Sequence, residues 1–170
     1  MVFMLPQSPT ERLTGRHFQV RWLRLGFAVA PLIAAIAYNQ LYSRGIRFEF
    51  LGCPLLRWTG VPCAGWGLTR SFMAMTRGDW TQAWQFHGLG PLLFFGFAIA
   101  AVHYSLELWR QKPLRTFYVA WFKRRTFYLS ALAVLLIYHG FRLQSLAQSG
   151  ELHSNYLKSP LYHILHHGFL

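Results

Sequence analysis

The sequence predicts an all-α membrane protein with about three transmembrane helices and two short interfacial helices between the first and second. Three observations predict it. Hydrophobic residues make up 54% of the 170 residues and charged residues only 13%, about half the charge of an ordinary soluble domain. Three long stretches are almost free of charge. Lys and Arg outnumber Asp and Glu by 17 to 5, and they gather beside those stretches. A chain this apolar cannot cover itself with polar surface, so lipid is the expected solvent. The net charge of +12 raises nucleic acid as a partner. The placement of the cations argues against it: they form no single basic face, and they suit orientation in a bilayer and contact with anionic headgroups.

Residues 1–24 form a basic N-terminal segment with Arg12, Arg16, Arg21 and Arg24. It lacks a long apolar core and a small-residue cleavage site, so the first span is expected to act as an uncleaved anchor. That span runs from about Leu25 to Tyr42, long enough to cross the hydrocarbon core. Pro31 is expected to kink it, which a membrane helix tolerates. The second span runs from about Gly90 to Trp109. Pro91 suits its first turn, and Trp109 suits an interfacial anchor. His103 and Glu107 lie four apart on one face and are expected to pair. The third span, about Phe127 to Phe141, is short and extends through Thr126 and Leu143. These spans and their connections make a membrane domain over 25–143. A tail over 144–170 follows, suited to the interface.

Charge sets the orientation. The N-terminal segment and the link between spans two and three hold ten Lys and Arg, against seven on the other side. The N-terminus is therefore expected in the cytoplasm, and the C-terminus outside.

The connection from Ser43 to Gly88 is too apolar for a loose loop. Cys53 through Gly67 gathers glycines, prolines and both cysteines, as in a tight irregular turn. Leu68, Phe72 and Met75 then recur at helix spacing. Gly78 is placed to end that helix in a left-handed conformation. Asp79 is placed to cap another through Trp80, Trp84 and Phe86. Both helices are expected to lie at the outer interface. The first ten or so residues and Ser145 to Ser159 are the segments expected to be disordered.

Cys53-Pro54, followed by Thr59-Gly60-Val61-Pro62-Cys63-Ala64-Gly65-Trp66-Gly67-Leu68-Thr69-Arg70, then Gly78-Asp79 and an apolar span, resembles domain-of-unknown-function family number 2752. Those are small bacterial membrane proteins whose pattern is Cys-Pro, then Cys-Pro-x-Cys-Gly-x-Thr-Arg, a short helix, Gly-Asp and a transmembrane helix. Ala64 replaces the Pro after the second cysteine, and Trp66 replaces the third cysteine. The resemblance covers roughly Gly52 to Phe97. It implies a membrane location, here a bacterial inner or internal membrane, and no activity.

Cys53 and Cys63, with nine residues between them, form a disulfide or a thiol pair. On the outer side a disulfide would restrict the unfolded chain by roughly 3 kcal/mol in the entropic account. Packed free thiols and metal or redox chemistry stand beside it. Two thiols are too few for zinc or an iron–sulfur cluster without histidines. Thr69 and Arg70 sit at a helix start, where they can contact an anion such as a lipid headgroup; alternatively Thr69 caps the helix and Arg70 reaches to the interface. Gly60, Gly65, Gly67, Gly78 and Asp79 serve as turn and cap residues. His87 and His139 are the better matched of the histidine pairs for haem or metal, but neither lies in a recognised haem motif. No cofactor is predicted. His163-Ile164-Leu165-His166-His167 resembles a di-iron desaturase box only locally; Tyr162, Leu165 and Phe169 read as one side of a short interfacial helix. Phosphate loops, nucleophile elbows and paired carboxylates are absent. The leading reading is a non-enzymatic small subunit, assembly factor or partner of a larger membrane complex. Its rivals are a metal-, haem- or thiol-redox protein, and a lipid-handling enzyme or transporter with Arg70 at headgroup level.

Overall fold

A computed structural model describes residues 15–46, 52–114, 116–122 and 124–167. Arg12, Arg47, Arg115, Lys123 and Phe169 lie outside these residues, as does the expectation of disorder at the first ten. Among the described residues the regular structure is wholly helical.

Three helices are long and apolar enough to cross a membrane: α1 (Arg16–Ser43), α5 (Gly90–Arg110) and α7 (Arg125–Gln148). Helix α1 starts well inside the basic segment, because nothing from Arg16 to Arg24 breaks a helix, and it runs on unbroken through Pro31. Helix α7 outruns its expected span in both directions.

Helices α1 and α5 pack side by side, with short α3 (Leu68–Thr76) wedged against both. Ala28 and Ala35 are buried where α1 meets these neighbours. They stand seven apart on one stripe, and their small side chains let the helix backbones approach.

Among the described residues, the connection between α1 and α5 holds three short helices rather than two: α2 (Pro54–Thr59), α3 and α4 (Trp80–Phe86). Pro54 pre-sets the first turn of α2, which is why a stretch read as pure turn winds up. Helix α3 belongs to the core. Ser71 through Met75 are all buried, and Phe72 meets Phe94 edge to face at 5.5 Å. The close packing rests on small groups: Ser71 Oγ donates to the Ala83 carbonyl at 2.8 Å, and a Cβ on Gly90 would overlap Ser71. Gly78 takes a φ of 76° after α3, and Asp79 accepts from the Gln82 N–H at 2.9 Å to start α4.

The last elements are α6 (Phe117–Phe122), α8 (Glu151–Leu157) and α9 (Pro160–His167). The region expected to be disordered, Ser145 to Ser159, is instead the end of α7 plus α8. Packing against the cysteine turn supplies what its composition lacks: the α8 backbone at Asn155 and Tyr156 lies against Gly60, and α9 beyond it folds back on α2. Helix α7 differs from the other two spans. It buries no residue and packs substantially on neither α1 nor α5 among the described residues.

Candidate functional site at the cysteine turn

Cys53 caps α2. Its sulfur accepts from the Leu56 N–H at 3.5 Å and from the Cys63 N–H at 3.1 Å, so the turn folds onto it. Both cysteines are free thiols, half-buried and side by side. Burial pushes the Cys53 thiol up, but hydrogen bonds from Cys63 and the α2 backbone outweigh it and hold Cys53 below the ordinary thiol range. Burial and the neighbouring Cys53 sulfur push Cys63 the other way. The pair is therefore graded, with Cys53 the easier of the two thiols to ionise.

Two glycines make the turn possible. Gly60 has a φ of 76°, and a Cβ there would overlap the backbone of Asn155 and Tyr156. Gly67 has a φ of 90°, and a Cβ there would overlap the Phe86 carbonyl. Only glycine meets both demands. Gly65 is different: its Cβ would meet open space, and it needs no left-handed backbone.

Arg142 of α7 clasps this turn. Its guanidinium donates to the Trp66 carbonyl at 2.5 Å and the Phe86 carbonyl at 2.9 Å, and it lies 4.6 Å from the centre of the Trp66 ring. One turn earlier, the Tyr138 hydroxyl accepts from the Gly88 N–H at 2.8 Å. The Tyr138 ring rests on His87 with centroids 5.0 Å apart. These contacts fasten α7 at one end.

His87 is 1% exposed. Nε2 donates to the Ala64 carbonyl at 3.0 Å, and Nδ1 accepts from the Leu89 N–H at 3.2 Å. Burial pushes its pKa down, and Arg142 adds to that against the opposing Ala64 bond. A neutral imidazole with both nitrogens committed is a structural joint rather than a ligand. His139 lies half-buried on α7 beside Tyr138. Among the described residues no three His, Cys, Asp or Glu side chains gather into a metal-binding group. Thr69 and Arg70 are both exposed. Gly67, not Thr69, occupies the cap position of α3, so the reading of Thr69 as a cap is corrected. In the tail, Tyr162 stacks on His166 at 4.2 Å.

A second polar cluster lies at the opposite end of α5. From Gly90 to Glu107 the helix rises about 25 Å. There Arg21 of α1 forms an ion pair with Glu107, which is 1% exposed. The other carboxylate oxygen accepts from the Leu114 N–H at 2.9 Å and meets His103 Nε2 at 3.3 Å. His103 Nδ1 lies 2.6 Å from the Tyr118 hydroxyl. The expected His103–Glu107 pair is present. Sequence reasoning missed Arg21, Tyr118, Tyr138 and Arg142. A lone arginine within an apolar span was the available signal for Arg142, because a charge at that position needs a partner.

Residues 53–101 match the model of a family described as Protein of unknown function (DUF2752). The matched segment is the one to which the cysteine and glycine pattern points, from Cys53 through α4 into the first half of α5. No curated protein and no solved structure matches the chain.

Proposed function

We propose that this protein is a non-enzymatic small subunit of a larger membrane complex, and that α7 is the helix that docks its partner. The observation that carries the reading is a likeness between α1 and α7. On α1, small residues seven apart, Ala28 and Ala35, are buried by packing. Helix α7 carries Thr126, Ala133, Gly140 and Ala147 at the same spacing, all exposed, and Gly140 has open space before it. This stripe lies on the side of α7 away from Tyr138 and Arg142, by helical rotation. Within a bilayer, close approach of small-residue faces is a main source of helix association. Arg142 and Tyr138 hold one end of α7 and leave this face outward.

The test is the mass of the protein purified in mild detergent from its native membrane. A second membrane protein in fixed ratio is expected, released by Gly140→Leu without change in the chain's own unfolding. A lone chain of 19.8 kDa in every mild detergent would overturn the reading.

A thiol-redox role is a second reading, carried by the graded Cys53–Cys63 pair. Joining the two sulfurs releases two protons and passes two electrons to an acceptor such as a disulfide. Alkylation and mass spectrometry of the unreduced protein, after exposure to a disulfide oxidant, tests it. Two free thiols after that exposure would count against it.

A further inference from the structure

Beside the Glu107 cluster, a groove of about 380 Å³ opens between α5 and the linker that follows it. This is the size range of small-molecule sites. Ile99, Val102 and Leu106 form its α5 wall, and Leu114 and Thr116 form the linker side. Ile99 and Val102 are 58% and 60% exposed, so the groove faces whatever surrounds the helices. His103 and Tyr118, also in the lining, are already bonded to each other. Thr116 is different. Its hydroxyl is buried and has no hydrogen-bond partner among the described residues, a condition that calls for an explanation. Thr116 itself lines the groove. The surrounding charge is one-sided. Arg110, Lys112, Arg124 and Arg125 flank the linker, and in the sequence no acidic residue occurs from Leu108 to Gly150. The nearest carboxylate, Glu107, is already paired with Arg21.

We propose that this groove binds an anionic glycerophospholipid. One acyl chain lies along Ile99, Val102 and Leu106. An ester carbonyl accepts from the Thr116 hydroxyl. The phosphate sits by Arg110 and Lys112, the described cations nearest in sequence to the groove. The ligand class follows from three features in one place: an apolar trough open to the lipid phase, one unmet hydroxyl, and uncompensated positive charge at headgroup level. The inference is independent of the partner proposed for α7.

The experiment is native mass spectrometry of delipidated protein after addition of palmitoyl-oleoyl phosphatidylglycerol, or phosphatidylcholine with the same chains. The wild-type chain is expected to retain the phosphatidylglycerol about ten-fold better. Val102→Trp fills the trough and is expected to release both lipids. Thr116→Val is expected to weaken both equally. Arg110→Gln with Lys112→Gln is expected to abolish the preference between them. Circular dichroism and thermal unfolding check that each variant folds, and Ile99→Trp replaces Val102→Trp if the latter does not. Equal retention of the two lipids by the wild type would overturn the proposal, as would a folded trough-filling variant that holds phosphatidylglycerol as well as the wild type does.

Discussion

Helices α1 and α7 have similar composition and opposite surroundings. Each is long, apolar and marked by small residues seven apart. On α1 that spacing is used: Ala28 and Ala35 are 4% exposed. On α7 it is bare, and the helix buries nothing. The fastenings differ too. Helix α1 is held along its length by α5 and α3 and locked at one end by Arg21 on Glu107. Helix α7 is held at one end, by an arginine on two backbone carbonyls and a tyrosine on a backbone N–H. Similar helix chemistry therefore does not decide what a face does. What decides is whether the connecting segments bring another helix to it, and here they do so for α1 alone.

The largest effect should come from breaking the lock on α1. Glu107→Ala leaves Arg21 without its carboxylate in a partly buried setting. The expected loss is about 3 kcal/mol, the lower end for a broken buried pair because Arg21 keeps some exposure. Unfolding in mixed micelles measures it. Replacing both residues, as Arg21→Met with Glu107→Leu, should recover most of the loss. A double variant as unstable as Glu107→Ala alone would contradict the ion-pair account.

Next comes the clasp on α7. Arg142→Gln loses the forked contact with two carbonyls and the contact with the Trp66 ring, for an expected cost of about 2 kcal/mol. Arg142→Lys should restore only part of this, since an ammonium has no planar fork. The expected signature is faster proteolysis of the cysteine turn in both variants, with α1 and α5 still protected.

A matched pair of substitutions then probes the comparison itself. Ala35→Leu overpacks the covered face and should cost about 1–3 kcal/mol. Gly140→Leu enters open space and should leave the isolated chain within about 0.5 kcal/mol of the wild type. Equal costs at the two positions would mean that α7 is covered by its own chain.

The smallest effect concerns the thiols. A pKa lowered at Cys53 and raised at Cys63 means that, as pH rises, the Cys53 thiolate forms first. Alkylation followed by peptide mass spectrometry should therefore label Cys53 ahead of Cys63, with the gap closing at strongly alkaline pH. Labelling in the reverse order would refute the graded pair.

How far these features were legible depended on the range over which their physics acts. The spans were legible because apolar length is a local property. So were Gly78 and Asp79, because a left-handed stop and a side-chain cap are decided within a few residues. His103 and Glu107 were legible at four apart on one helix. Arg21 was not, since 86 residues separate it from Glu107 and no spacing rule reaches across them. Arg142 was read as an orienting charge, whereas its acceptors are backbone carbonyls, which leave no mark in a sequence. Gly65 and Gly67 looked alike in the turn, yet only Gly67 meets another segment closely. Helix α8 was hidden because its composition is polar and its order comes from packing.

The account stands on α7 as a docking face, and a photo-reactive residue placed on that helix in native membranes tests it most directly. Leu136 lies on the small-residue face, away from Arg142, while Val134 lies well round the helix from it; both are more than half exposed. The account predicts a discrete protein adduct from position 136 that Gly140→Leu abolishes, and lipid adducts from position 134. Lipid adducts alone from both positions would contradict it.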